Sequence, residues 1–441
     1  MKVGTAQLDI TPRLGLDLAG FAVRPQPAIS ILDSLSVRIL YLEDNRERFL
    51  WVHADLLALD QPLADRFRLW VYRNCGIPTS RVVVATTHTH SGPATIRLTA
   101  CGEVNLEYLS WLKSQFHQAV RLALRSLEPC HLLSVQGRCE LGKDRRGFAS
   151  AHTDPRVGGL GWRRLDGSYK AVMLNYSMHP VCLRGYQISA DWPGEAARVL
   201  SKSLPGNPVA FVCPGACGNI NPPGVGVEPN QMRKWGREVA EQVLAGLLTS
   251  PVSGGPTEDG VLRVASTTVQ LPLEDWDAGQ IEGYAQSCLD DPAGHREFGD
   301  KFRLAVETWR GSMIERVRRG QPAYAAAELG VVSLGPAALV TVNAEIFSRF
   351  TDLASQDARC PVYTVSCANG MIGYVSAAEA YDEGAYEVLW SMFFYNLPRP
   401  RKGCLELLAE NARRLLCELR SGEPTTLSSP SAPGPANAEG A

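Results

Sequence analysis

The segment Thr86-Thr87-His88-Thr89-His90-Ser91-Gly92-Pro93 follows the apolar run Val82-Val83-Val84 and sets two imidazoles one residue apart. If the extended backbone persists past that run, its period of two places His88 and His90 on one face. Two imidazoles aimed at one point make half of a metal site; the alternative is a pair of hydrogen-bonded loop histidines. A third imidazole, His179, stands just past another apolar run in Asn175-Tyr176-Ser177-Met178-His179-Pro180. Carboxylates occupy matching places at Asp55, Asp191 and Glu345. Asp191, followed by Pro193 and a helical pattern, reads first as a helix N-cap. Glu345 comes straight off the run Ala338 to Val342, and a metal ion is one way to compensate a desolvated carboxylate there. His, His and Glu together are a donor set that suits zinc with a position left open for water.

The segment Val212-Cys213-Pro214-Gly215-Ala216-Cys217-Gly218-Asn219-Ile220-Asn221-Pro222-Pro223 has small residues that let a backbone approach a ligand. The amides of Asn219 and Asn221 can hydrogen-bond that ligand. The segment lacks the Gly-Lys-Ser/Thr ending of a phosphate loop and the Gly-x-Ser-x-Gly frame of a nucleophile elbow. Cys213 and Cys217 have no second pair at zinc-ribbon spacing and read as small apolar residues.

Elements must position these residues, and the apolar runs Phe49 to Val52, Arg81 to Ala85, Ala171 to Leu174, Pro208 to Val212 and Ala338 to Val342 read as strands. Segments 105–127, 194–204, 231–248 and 404–419 read as amphipathic helices between and beyond them. The expected fold is α/β, with mixed β-sheets flanked by helices and the metal site at strand ends, where ligand sites collect in open sheets. Segment 275–320 is expected to be a helical insertion at the rim of the site. Residues 421–441, rich in Ser, Pro, Ala and Gly, have nothing large to bury and are expected to form a disordered tail.

With 44 Lys plus Arg against 46 Asp plus Glu in 441 residues, the net charge of -2 supplies no field for nucleic acid or an anionic membrane. Apolar residues at 45% and charged residues at 20% exclude the disordered and fibrous classes. The apolar runs fall far below the roughly 20 residues of a membrane span. The opening Met1-Lys2-Val3-Gly4-Thr5-Ala6 lacks the apolar stretch of a secretory signal, so a cytoplasmic location is expected, where the 12 cysteines stay as thiols.

Taken together, the residues resemble the neutral, non-lysosomal ceramidases. The likeness runs from Val3-Gly4-Thr5-Ala6-Gln7-Leu8-Asp9-Ile10-Thr11-Pro12 through His88-Thr89-His90-Ser91-Gly92-Pro93 and Gly218-Asn219-Ile220-Asn221-Pro222 to Gly373-Tyr374-Val375 and Gly384-Ala385-Tyr386-Glu387. It spans 1–420 as one catalytic domain. The resemblance implies a zinc-dependent amide hydrolase with His88, His179, Glu345 and Tyr374 as metal ligands and with His90 and Arg145 lining the pocket as catalytic residues. Read from the chain alone, Tyr374 is a strand residue with a buried hydroxyl, and Arg145, in Lys143-Asp144-Arg145-Arg146, belongs to a surface charge run.

Two departures shape the expected chemistry. Asn221 stands where those ceramidases carry a serine, and an amide cannot form an acyl-enzyme, so Asn219 and Asn221 are expected to bind substrate while zinc-bound water attacks. The family's immunoglobulin-like domain has no counterpart here, and neither an exposed apolar rim nor a basic patch is expected. The expected substrate is therefore a soluble or amphiphilic N-acylated metabolite, cleaved at its amide, in preference to membrane ceramide. The alternatives are an esterase, lactonase or carbohydrate-modifying enzyme on the same metal scaffold, or a non-catalytic binding protein on a degenerate ceramidase fold.

Overall fold

The computed structural model describes residues 1–22, 24–250 and 261–421; the tail expected beyond Ser421 lies outside them. Eight strands form the main sheet: β1 (Lys2–Asp9), β2 (Ser36–Glu43), β3 (Arg48–Ala54), β4 (Val82–Thr86), β5 (Glu128–Arg138), β6 (Arg156–Arg164), β7 (Tyr169–Tyr176) and β8 (Val209–Pro214). Their order is β8-β7-β6-β5-β1-β2-β3-β4. The β3–β4 and β7–β8 pairs are parallel and the others antiparallel, giving a mixed sheet.

β4 reads Val-Val-Val-Ala-Thr and is buried throughout, as β-branched residues on a covered strand should be. It ends the sheet, yet its edge is closed: Asn369 accepts the Val84 N–H through Oδ1 at 2.8 Å and donates its own N–H to the Val84 carbonyl at 2.7 Å. That removes the free edge that would template another chain. A second sheet, β9 (Arg263–Pro272), β10 (Tyr324–Ser333), β11 (Ala338–Val342) and β12 (Val362–Val365), runs in that order with β11 and β12 parallel. Val332, Leu339 and Val365 of this sheet pack with Trp51, Trp162 and Phe211 of the first in one apolar layer.

Helices α1 (Gln61–Cys75) and α2 (Leu106–Arg125) cover the β1–β4 half of the main sheet. α2 is capped by the Asn105 side chain, which accepts the Tyr108 N–H, and it buries Tyr108, Leu112, Phe116 and Ala119 on one face. Helices α3 (Asp191–Ser203) and α4 (Pro229–Thr249) pack on each other and cover the β7–β8 half. The 275–320 segment forms α5 (Ala278–Asp290), α6 (Pro292–Phe298) and α7 (Asp300–Arg318), which bury Phe302 and Trp309 against Phe393. No helix among the described residues is long and apolar enough to cross a membrane.

Candidate metal centre

Four strand exits meet at one point. Past β4 the chain does not stay extended: Thr87 donates its N–H to the Ala54 carbonyl, and His88 sits at φ 61°. The alternation expected of His88 and His90 is therefore replaced by a tight turn, in a left-handed conformation that few non-glycine residues adopt. The turn still brings the rings together. Centroids of His88 and His90 lie 5.1 Å apart, those of His88 and His179 5.0 Å, and those of His90 and His179 5.7 Å. One nitrogen from each ring falls within 4.8 Å of the others, so these three histidines could hold a metal ion.

The hydrogen bonds decide which nitrogens point inward. His88 Nδ1 lies 2.9 Å from the Leu57 carbonyl and His179 Nδ1 lies 2.6 Å from the Cys217 carbonyl, so both must carry the proton there. Each Nε2 of a neutral ring is then an acceptor. Facing them is another acceptor: Glu345 Oε2 is 2.9 Å from His179 Nε2 and 3.3 Å from His88 Nε2. Burial pushes His179 down to about 4 and His90 well below its ordinary range, which keeps these rings neutral. Two ring nitrogens converging on a buried carboxylate call for a shared proton or a cation between them. Both ring nitrogens of His90 are buried without a partner as well. The donor set fits a divalent metal of the zinc type.

Gly218 lets the loop after β8 pass this close to Glu345, since a Cβ there would stand 2.8 Å from the Glu345 carbonyl. The other Glu345 oxygen, Oε1, accepts the Tyr395 hydroxyl. Glu345 and Tyr374 are neighbours in a two-residue parallel ladder, and the Tyr374 hydroxyl accepts Arg145 Nη2 at 3.2 Å.

Arg145 is no member of a solvated charge run. Its segment, Lys143–Asp144, pairs with Ile220–Asn221, and neighbouring Asp144 and Arg146 form a buried ion pair. Arg145 itself bonds Glu387 Oε1 at 2.7 Å and the Gly218 carbonyl at 2.9 Å. Asn221 Oδ1 lies 3.4 Å from Arg145 Nη1 and lines the cavity. Asn219, expected at the substrate, faces elsewhere: its amide donates to Asp144 and to the His152 carbonyl and accepts the Ser348 N–H. It holds the loop.

Asp55 and Asp191 lie outside the centre. Asp55 bonds Arg38 and the Ser36 N–H. Asp191 is not the expected N-cap; it is the first residue of α3, at φ 56°, and accepts the N–H groups of Trp192 and Leu183. Cys217 is a buried thiol whose pKa burial raises, the opposite of what a thiolate nucleophile needs.

His179 is fully buried beside His88, and His88, His90 and Glu345 line a cavity of about 570 Å³. Tyr374, Tyr386 and Tyr395 line it, and Glu297 and Phe298 of α6 place the 275–320 helices at its wall. Two further lining residues correct the expected absence of an apolar rim: Phe148 and Val225 are 38% and 40% exposed. Tyr386, Glu387 and Tyr395 were not among the residues that spacing pointed to. Tyr386 and Glu387 fall in a segment of family likeness, but Tyr395, in Phe393-Phe394-Tyr395, looks like any apolar helix residue.

No protein-family model matches the chain, and no curated protein does. Among solved structures, the chain superposes on neutral ceramidase from Pseudomonas aeruginosa with a TM-score of 0.71 at 17% identity, over 98% of this chain and 76% of that one. A ceramidase complexed with C2 matches with a TM-score of 0.72 at 16% identity, over 98% and 77%. The mixed α/β architecture, with sheets flanked by helices, is that of these ceramidases.

Proposed function

We propose that the chain is a zinc-dependent amidohydrolase that cleaves the N-acyl bond of a soluble or amphiphilic metabolite. The observation that carries this reading is the convergence of the inward nitrogens of His88 and His179 on the buried Glu345 carboxylate, beside a third imidazole, His90. The fold shared with the ceramidases supports amide hydrolysis as the reaction. His88, His179 and Glu345 would hold the metal, with the Tyr374 hydroxyl beside them. Bound there, the ion supplies Lewis acidity, polarising a carbonyl oxygen and lowering the pKa of water toward neutrality.

The chain's own groups supply the rest. His90, with neither ring nitrogen engaged, accepts a proton from the attacking water and returns it to the leaving nitrogen. Arg145, fixed by Glu387, and the Asn221 amide orient the acyl carbonyl. Water adds to the acyl carbon, the carbon–nitrogen bond breaks, and a carboxylate and an amine leave. The hydroxyl-free side chain at position 221 fits direct attack by water.

The cavity volume is that of a small-ligand pocket, and its apolar wall with Phe148 and Val225 at the mouth suits one acyl arm beside a polar head. The exposed Phe148 and Val225 supply part of the rim a membrane lipid would need, so the preference for an N-acylated metabolite over a two-chain lipid rests on the small volume of the cavity. Amine release from short-chain N-acyl amines and from ceramide in mixed micelles tests this. A higher kcat/KM for the short-chain compounds is expected; a higher value for ceramide overturns the substrate assignment, and release from esters alone overturns the bond assignment.

A further inference from the structure

A second cavity, of about 690 Å³, shares no lining residue with the candidate metal centre. Gln7, Ser36 and Arg38 on β1 and β2 line one side, and α3 and α4 supply Arg198, Lys202 and Arg233. Arg38 is 6% exposed. Its Nη1 reaches both oxygens of Asp55, at 2.8 and 2.9 Å, but its Nε and Nη2 donate to none of the described residues. A guanidinium buried to that degree normally engages most of its five N–H groups. The unengaged edge belongs to a side chain that lines the cavity.

The surrounding charge has one sign in excess. Among the ionisable lining residues, Arg38, Arg198, Lys202 and Arg233 stand against Asp33 and Glu195. Glu195 is engaged by Arg198 at 2.5 Å, and Asp33 accepts Ser189 Oγ and the Ala190 N–H. Lys202 and Arg233 form no ion pair among the described residues. Arg233 donates to Asn230 Oδ1 at 3.5 Å. Gln7 and Ser36, bonded to each other at 3.0 Å, add neutral polar groups beside the guanidinium.

We infer that this cavity is a binding site for a small oxyanion, a phosphate or carboxylate group. Two parallel N–H groups on one guanidinium edge match two oxygens of such a group, and Lys202 and Arg233 supply the unpaired positive charge. The site lies between the sheet and α3, away from the cavity proposed to hold substrate, so it takes a ligand other than the scissile amide.

Calorimetric titration of the intact protein at low ionic strength, with inorganic phosphate in one arm and succinate in another, tests the assignment and separates the two oxyanion classes. Saturable binding of at least one is expected. Arg38→Lys keeps a cation against Asp55 but loses the free edge and should weaken that binding about tenfold or more. Lys202→Gln with Arg233→Gln, two helix-surface changes that leave the Arg38–Asp55 pair intact, should weaken it about fivefold and flatten its salt dependence. No saturable binding of either ion, or binding that both variants leave unchanged, overturns the proposal. If Arg38→Lys does not fold, the double variant decides alone.

Discussion

Segments 187–192 and 343–346 each bury a carboxylate. Asp191, in the first, accepts the backbone N–H groups of Trp192 at 2.7 Å and Leu183 at 3.1 Å. Glu345, in the second, accepts the Tyr395 hydroxyl on one oxygen and turns the other toward two imidazoles whose protons are committed to carbonyls. Burial raises the pKa of Asp191 despite its backbone donors. A buried carboxylate met by backbone donors is architecture, and one met by ring nitrogens that can be acceptors has the make-up of a metal ligand.

The largest effect should follow from breaking the acceptor side. His88→Ala or His179→Ala removes one inward nitrogen, and amine release should fall to background together with bound zinc, as elemental analysis and an amide-hydrolysis assay would show. Retained zinc and activity in either variant would remove that ring from the centre. His90→Ala sharpens the contrast within the cluster: kcat should fall by about 10² to 10⁴ while zinc stays bound, because the role proposed for this ring is to move a proton, with His88, His179 and Glu345 holding the ion. Loss of zinc from that variant would make His90 a ligand instead.

Arg145 and Glu387 form an ion pair, its carboxylate buried, beside that cluster. Arg145→Gln leaves the Glu387 carboxylate, whose side chain is 1% exposed, without its partner and should cost about 3 to 5 kcal/mol. Adding Glu387→Gln should recover much of that stability in a denaturant titration while activity stays low. Equal stability of the single and double variants would show that the Glu387 carboxylate left alone carries no burial penalty.

The smallest expected effect is on pH-dependent stability. His53 lies buried on β3 with Nε2 2.9 Å from the Val212 carbonyl, and burial pushes it down to about 3. The unfolded chain, with an ordinary histidine, takes up a proton below about pH 6.5 that the folded chain refuses. Stability is therefore fully present above pH 6.5 and falls as pH drops toward 3, by roughly 2 kcal/mol between pH 6.5 and 5. His53→Gln should flatten that part of the profile. An unchanged slope would assign the loss to other groups.

The carboxylate comparison also shows what the sequence could tell. His88, His179 and Glu345 were legible because each follows a run that could only be a buried strand, and strand exits converge. Asp191 looked like an N-cap because a helix and a proline follow it, but Leu183, eight residues earlier, claims one of its oxygens, and local spacing cannot show that. Lys143 to Arg146 looked like solvated charge because its cover, the Ile220–Asn221 strand and the Glu383 and Glu387 carboxylates, is remote in sequence. β6, in Val-Gly-Gly-Leu-Gly-Trp, escaped notice because glycine has little strand preference. A Cβ at Gly158 would stand 2.4 Å from the Tyr363 ring, a requirement set by the second sheet.

The central claim is that a metal bridges the Glu345 loop to His88 and His179 and leaves the Asp191 loop untouched. Equilibrium dialysis of Glu345→Gln and Asp191→Asn against zinc, each checked by circular dichroism, tests it most directly. The account predicts about one zinc per chain in the starting protein and in Asp191→Asn, and a loss of affinity of at least about 100-fold in Glu345→Gln. Zinc held equally well by folded Glu345→Gln, or lost only from Asp191→Asn, would contradict it.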